Sequence, residues 1–575
     1  MTQPAEPTAG TPSGWRPTLL AGLMYLALAN LLFLPFWLDP VNRYIGMAND
    51  PLQKAWFFSW TLFAISHHQL PLFSSYLNAP YGVNLTWNTA MPALGIIFLP
   101  LTATMGGLFT YNLLMVLALA STAWSAYFAA FHFTRHRWGS IACGLIYGFS
   151  PYMIAESNGH LALVMMFFAP VVAVFLDEVF VQQIKPWWML GLGFGAIASL
   201  QFLISEEVFV TSCLAGMTAL VSAAILGRHQ VTAKARYALK TSGVAVCLCA
   251  VIVAPVAGYQ LFGPERVHGL LQPFGSIFSD LLGFLIPTKN QLISPGPLTA
   301  IASHFVGGGI FEDGAYVSVP LIVALVILCV RLWPDRLFRV AALSAIVLSI
   351  LSLGPHLYID GRLVGIPLPW LATKHLPFLR DVLPGRIMGE AFFAIGVMVA
   401  VGFRRHKQLG RPWLAVCGAL LVASVLCLFP ALPRPVTTGL AATKMPVAVE
   451  ATIPLGSTVL FVPVPSPTYP VAMVYQYESS FRFRIVGGYD YQGSTPSDSP
   501  LLPLEFELYP SNAHLRPRTV SSTGRAKVIA ELRTAGVQRV VVYPATLSHS
   551  YVPFLHTLLG SPVVSDAGFE VWRVP

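Results

Sequence analysis

The chain has 575 residues, 55% of them hydrophobic and only 10% charged, with a mean hydropathy of +0.65 and a net charge of +9. That balance lies outside the range of ordinary soluble domains and makes the lipid bilayer the solvent. The positive charge is scattered through short loops between apolar stretches and forms no single patch, which argues against nucleic acid as a partner.

The first apolar stretch, residues 18–38, meets the length of about 20 residues that a membrane-spanning helix needs. No basic cluster precedes it, and it ends in Trp37-Leu38-Asp39-Pro40, so it reads as a retained helix and not a cleaved leader. Further spans are expected at 108–133, 139–155, 160–180, 187–204, 206–226, 240–261, 315–333, 337–354, 385–403 and 411–430. All seven cysteines fall inside such stretches, where a thiol acts as a small hydrophobe, so neither a disulfide framework nor a zinc site is expected.

Basic residues in short loops mark the cytoplasmic side. The clusters are Arg135/Arg137, Lys185, Arg228/Lys234/Arg236/Lys240, Arg331/Arg336/Arg339 and Arg404/Arg405/Lys407/Arg411. Eleven spans and a cytoplasmic N-terminal tail, residues 1–17, place every cluster inside. Counting the short run Met91–Leu101, which carries Pro92 and Pro100, as a twelfth span would move the later clusters to the wrong face, so it is expected to dip into the interface without crossing.

The sequence thus divides into a tail (1–17), a polytopic α-helical membrane domain (18–431) with outer loops at 39–107, 262–314 and 355–384, and an extracytoplasmic domain (432–575). The last begins polar and Pro-rich and then alternates β-type runs, such as Ser457–Val462 and Val537–Tyr543, with helical composition at Gly524–Ala535. A small α/β domain is expected there.

Candidate site residues lie at the outer ends of the spans. In the first outer loop, Gly46–Trp60 reads as a helix start, with Asp50 placed to cap and Pro51 at the first helical position. Leu52, Trp56, Trp60 and Phe63 follow at helical spacing, which predicts a short helix lying on the membrane surface. The turn Glu156-Ser157-Asn158-Gly159-His160 joins two spans, either as a solvated connection or as a ligand-bearing one. Glu206 and Glu207 open the next span, and two adjacent carboxylates at a boundary sit in water or line a polar cavity.

The loop 262–314 offers Lys289, His304 and Glu312-Asp313 beside Gly307-Gly308-Gly309, a hinge-like run fit for closing over a substrate. Arg380 and Arg386 face the outer boundary, where a guanidinium can grip a lipid phosphate or snorkel to headgroups.

With Asn49-Asp50 early in a large first outer loop, seven spans before the long loop 262–314, and an outer C-terminal region, the chain resembles the GT-C superfamily of membrane glycosyltransferases. That superfamily includes oligosaccharyltransferases, protein O-mannosyltransferases and aminoarabinose transferases. The chain also resembles uncharacterised bacterial members through Ala79-Pro80-Tyr81-Gly82-Val83-Asn84, Phe149-Ser150-Pro151-Tyr152, Gly159-His160-Leu161 and Ile485-Val486-Gly487-Gly488-Tyr489.

The resemblance implies a bacterial inner-membrane enzyme that transfers a sugar from a polyprenyl-phosphate-linked donor to an extracytoplasmic glycan, lipid or protein acceptor. Asp50 would be its catalytic acid/base residue, and His160, Glu206, Glu207, Lys289, His304, Glu312, Arg380 and Arg386 would bind substrate. Oligosaccharyltransferases carry a metal-binding acidic motif where Glu156 and His160 stand; this chain departs from it, which leaves a divalent ion (Mg or Mn) as the one cofactor to consider. The sequence holds no Walker loop, dinucleotide-binding glycine pattern or nucleophile elbow. The rival reading is a transporter or flippase of lipid-linked glycans, but acidic residues gather at the ends of spans instead of the bilayer midplane that transporters use.

Overall fold

A computed structural model of the chain describes residues 15–47, 49–227, 235–437, 444–467, 469–491, 522–544 and 548–575. Most of the N-terminal tail and the Arg228 to Lys234 part of one basic loop lie outside the described residues. Among those described, seven helices are long and apolar enough to cross a membrane: Gly107–Thr134, Leu161–Gln182, Trp187–Ile204, Glu206–Ile225, Ala235–Phe262, Pro384–Arg404 and Arg411–Leu428. The protein is a multi-pass membrane protein. Arg16–Leu32 and Val319–Leu332 are apolar but shorter, and Arg137–Gly148 and Arg336–Ser352 complete the bundle.

Two expected spans are broken near the same point. The stretch 139–155 is a helix only to Gly148; the Ser150 hydroxyl accepts from the Met153 amide and Pro151, which has no N–H to give, starts a new helix, Pro151–Glu156. The stretch 160–180 opens with one turn, Leu161–Val164, and resumes at Phe168. The turn 156–160 therefore hangs between two interrupted helices. The region around Met91 forms two short helices, Pro92–Ile97 and Leu99–Met105, each too short to span.

The helix Asp50–Ser66 forms where the sequence predicts it, and protein covers much of its surface. It is buried from Pro51 through Phe58, packed on one side against Gly107–Thr134 and on the other against the helix Val471–Glu478, which in turn covers a C-terminal sheet. Gly107 permits the first contact, since an added Cβ would fall 2.3 Å from the Ala55 carbonyl oxygen. Trp56 and Trp60 stack with centroids 5.6 Å apart, and Phe481 meets both edge-on at 5.5 Å. The aromatic stripe is thus an inter-layer core; its amphipathic spacing could not distinguish a protein partner from headgroups.

The sheet has five strands in the order Val564–Asp566, Phe569–Arg573, Val537–Val542, Thr458–Val462, Arg484–Ile485. Thr458–Val462 runs parallel to both its neighbours, and Phe569–Arg573 is antiparallel to Val537–Val542. Alternation sends Val459 and Phe461 into the apolar cluster that also holds Trp56 and Trp60, with Tyr475 of the helix Val471–Glu478 against Phe461, while Leu460 and Val462 pack with Leu532, Leu555 and Leu558 of the two helices on the far face. Both faces are covered, which explains the unbroken apolar run Val459–Val462.

Directly after the last membrane helix, Val436–Thr437 pairs antiparallel with Tyr44–Ile45 of the first outer loop. The chain leaving the bundle is thereby sewn to the segment that carries Asp50.

Candidate active site

Asp50 is the first residue of its helix. Asn49 is the N-cap but makes no side-chain cap; its amide donates to the Pro467 carbonyl at 2.9 Å. The Asp50 carboxylate is therefore turned to other partners. Oδ2 lies 2.9 Å from His160 Nε2, and Oδ1 accepts from the Tyr489 hydroxyl. His160 Nδ1 lies 2.6 Å from Glu156 Oε2 and 3.8 Å from Glu312 Oε1.

Arg386 closes the cluster. Its Nη2 and Nε donate to Glu312 at 2.6 and 3.2 Å, and Nη1 donates to Glu207 at 2.5 Å. Glu207 also accepts from the Leu383 amide at 3.1 Å.

The turn 156–160 is buried, with the Glu156 side chain wholly so, and the reading of it as a solvated connection does not hold. Arg434 pins it: Nη2 donates to the Ile154 carbonyl at 2.8 Å and to Asn158 Oδ1 at 2.9 Å. Gly46, at φ +113°, lets the first loop press onto it; a Cβ there would sit 2.3 Å from the Asn158 carbonyl oxygen, which accepts from the Met47 amide at 3.1 Å.

Burial alone would raise the Asp50 pKa, but the His160 hydrogen bond and charge, Lys54 and the Tyr489 hydroxyl outweigh it and hold the carboxyl well below the usual range. Glu156 moves the other way: burial and the nearby Glu312 charge raise it. Glu312 is opposed by burial yet lowered by the charges of Arg386 and His160. Lys54, one turn along the helix from Asp50, is pulled down to about 8 by burial, while Asp50 pulls it up. Its Nζ donates to Gln53 Oε1 at 2.9 Å and to the Thr89 carbonyl at 3.3 Å.

Of the residues expected in the site, Asp50, His160, Glu207, Glu312 and Arg386 come together. Glu206 faces away and accepts from Gln260 at 3.2 Å. His304 pairs with Asp360 at 2.8 Å and Arg380 with Asp381 at 3.5 Å, both pairs partly exposed and outside the cluster. Lys289 is exposed, but its neighbour Asn290 accepts from Asn158 at 3.2 Å, which brings that loop onto the turn bearing His160.

Four further contributors do not follow from the sequence reading. Lys54 lies four residues from Asp50, and helical spacing is the signal that could have found it. Glu156 stands in the candidate turn four residues before His160, where the resemblance suggests only a departed metal motif and not the clamp on His160. Tyr489 and Arg434 arrive from more than 270 residues away along the chain; Tyr489 ends the motif Ile485–Tyr489 noted in the sequence, which gave it no role, and Arg434 carries no local signal.

Glu156, His160 and Glu312 could hold a divalent ion. One ligand atom from each lies within 4.8 Å of the others, and Glu156 Oε1 is buried with no hydrogen-bond partner. An ion on Nδ1 would leave the Nε2 proton of His160 for Asp50, the carboxylate-histidine arrangement common behind metal ligands.

Residues 22–428 match the sequence family described as Domain of unknown function (DUF6311). No curated protein matches the chain. Among solved structures, the arabinofuranosyltransferase AftD from Mycobacteria is similar at TM-score 0.54 and 16% identity, covering 98% of this chain; the chain spans only 40% of that protein's length. ArnT from Cupriavidus metallidurans, solved with undecaprenyl phosphate, gives TM-score 0.49 at 12% identity over 98% of this chain and 99% of that one. The Archaeoglobus fulgidus oligosaccharyltransferase gives 0.48 at 11% identity, over 91% and 67%. The likeness to AftD establishes a GT-C-like fold. With the match running over most of its length, the chain belongs to the DUF6311 family.

Proposed function

We propose that this protein is a membrane glycosyltransferase that moves a sugar from a polyprenyl-phosphate-linked donor to a hydroxyl of an extracytoplasmic glycan, lipid or protein, with Asp50 as its acid/base residue. The observation that carries the reading is a single carboxylate, oriented by His160, in the first large loop of a GT-C-like fold.

In this reading the acceptor hydroxyl donates to Asp50 as its oxygen attacks the anomeric carbon. The bond from that carbon to the phosphate oxygen breaks, the electron pair leaves with the phosphate, and the sugar inverts. The lowered pKa keeps Asp50 ionised, able to orient the attacking hydroxyl and to accept its proton late, when the new bond has made that oxygen acidic. His160, clamped by Glu156, fixes the orientation of Asp50. Arg386 holds Glu207 and Glu312 together as a wall of the site. Lys289, exposed on the loop that Asn290 ties to the turn, supplies positive charge to the donor phosphate. A divalent ion held by Glu156, His160 and Glu312 would add charge stabilisation for the departing phosphate.

The reading includes a topology: four shorter helices cross together with the seven long ones, giving eleven spans in the bacterial inner membrane. Asp50 and an α/β domain comprising residues 432–575 then share the outer face. Arg404 and Arg405, which bond Asp335 at 2.6 and 2.9 Å, sit at the other end of the same bundle, on the cytoplasmic side.

The test is purified protein in lipid vesicles with a panel of radiolabelled polyprenyl-phosphate sugars and hydroxyl acceptors. Sugar transfer that Asp50→Ala abolishes is the expected result. Scrambling of the labelled lipid across the bilayer without transfer would overturn the reading in favour of a flippase.

A further inference from the structure

Asp50 has two carboxylate oxygens, and both are engaged: Oδ2 with His160 and Oδ1 with the Tyr489 hydroxyl. An attacking hydroxyl needs one of them. His160 cannot yield, because its other nitrogen is 2.6 Å from Glu156 within the buried turn. Tyr489 is held differently. It lies beyond the edge strand Arg484–Ile485, in no helix or strand. Its carbonyl accepts from Gln53 Nε2 at 2.6 Å, and the following Tyr491 exchanges two hydrogen bonds with Asn88, at 2.5 and 3.1 Å. Gln272 of the loop 262–314 donates to the Tyr491 hydroxyl at 2.6 Å.

The backbone of this strap is thus fixed from three sides, while only a phenol reaches Asp50. A change of the Tyr489 χ1, which swings the whole phenol, would free Oδ1 without moving the strap. A phenol donating to a carboxylate is also the same pairing that an acceptor alcohol would make.

Resting on the glycosyl-transfer reading, we infer that Tyr489 occupies the acceptor's place on Asp50 and guards the donor against water. Hydrolysis is the same reaction with a smaller nucleophile. Water oxygen bonds the anomeric carbon, the carbon to phosphate-oxygen bond breaks with its electrons on the phosphate, and the water proton passes to Asp50. Water gains little by displacing the phenol. An acceptor that binds through its other hydroxyls and ring faces has the binding energy to push the phenol aside. Tyr489 is therefore a specificity residue that sets the partition between transfer and hydrolysis.

The experiment uses the full chain in lipid with a radiolabelled polyprenyl-phosphate sugar, and measures free sugar released without acceptor and product formed with it. In Tyr489→Phe the ratio of acceptor-free hydrolysis to transfer at saturating acceptor, where bound acceptor has already displaced the phenol, should rise at least about tenfold, the occupancy effect of roughly one charge-assisted hydrogen bond. The acceptor KM should fall, and Asp50→Asn combined with Tyr489→Phe should return hydrolysis to background. Gln53→Ala, which loosens the strap and leaves the phenol in place, should raise the ratio by less and decides the matter if Tyr489→Phe does not fold. An unchanged ratio in the folded variants would overturn the guard while leaving transfer intact. Absence of transfer in the unaltered protein would overturn the proposed function itself.

Discussion

Arg386 gives the sharpest structural prediction. Three charge-assisted hydrogen bonds tie it to Glu312 and Glu207, with side-chain exposures of 16%, 6% and 22% respectively. Arg386→Met keeps most of the apolar stem and removes the charge. The attraction is lost, but the larger effect is that Glu312 is left buried beside Glu156 with only His160 to balance it. Breaking a buried pair from one side costs about 3–5 kcal/mol, and here the greater share belongs to Glu312, the less exposed partner. Equilibrium unfolding in mixed micelles measures it. Arg386→Met combined with Glu312→Gln should recover part of the loss, with a coupling of about 1–3 kcal/mol. An Arg386→Met variant within about 0.5 kcal/mol of the unaltered protein would refute the claim that this guanidinium holds the wall of the site.

The pH dependence of stability should carry the mark of Glu156. Its folded-state pKa is raised, so above the ordinary carboxylate range the folded protein still binds a proton that the unfolded chain has released, and stability falls as pH rises. Glu156→Gln mimics the protonated form and should flatten that fall in unfolding midpoints followed from pH 5 to 8; a parallel slope would count against it. Trp56 should hold the C-terminal sheet to the first-loop helix. It is fully buried, stacks on Trp60 and donates to Gln476 Oε1 at 2.7 Å. Trp56→Ala should cost about 3–5 kcal/mol and expose the helix Val471–Glu478 to limited proteolysis; an unchanged cleavage pattern would show that other contacts hold the layers together.

How far the sequence could be read depended on the range of each signal. Apolar length located the bundle, because a bilayer imposes a fixed thickness on every crossing segment. It could not reveal the breaks at Ser150 and Met165, where a proline and a short loop interrupt runs that remain apolar throughout. His160, Glu207 and Arg386 were legible because polar or charged groups at the end of a span are costly and therefore conspicuous, Asp50 through the helix start and the resemblance, and Glu312 through its place beside the glycines of the loop 262–314. Glu206 was chosen on the same ground as Glu207, yet adjacent residues on a helix point about 100° apart and only one faces the cluster. The aromatic stripe Trp56, Trp60 and Phe63 had a visible period, but its partner was Phe481, over 400 residues away. Tyr489 and Arg434 reach the site through that same long-range docking and the strand pair at Tyr44–Ile45.

The central claim rests on one carboxylate, and one comparison tests it most directly: single-turnover sugar transfer by the unaltered protein and by Asp50→Asn, an isosteric change that removes the charge and one acceptor oxygen. Loss of about 10²–10⁴-fold in rate, with donor binding retained, is the result predicted for a group that takes the acceptor's proton. Transfer by Asp50→Asn at the unaltered rate would contradict it.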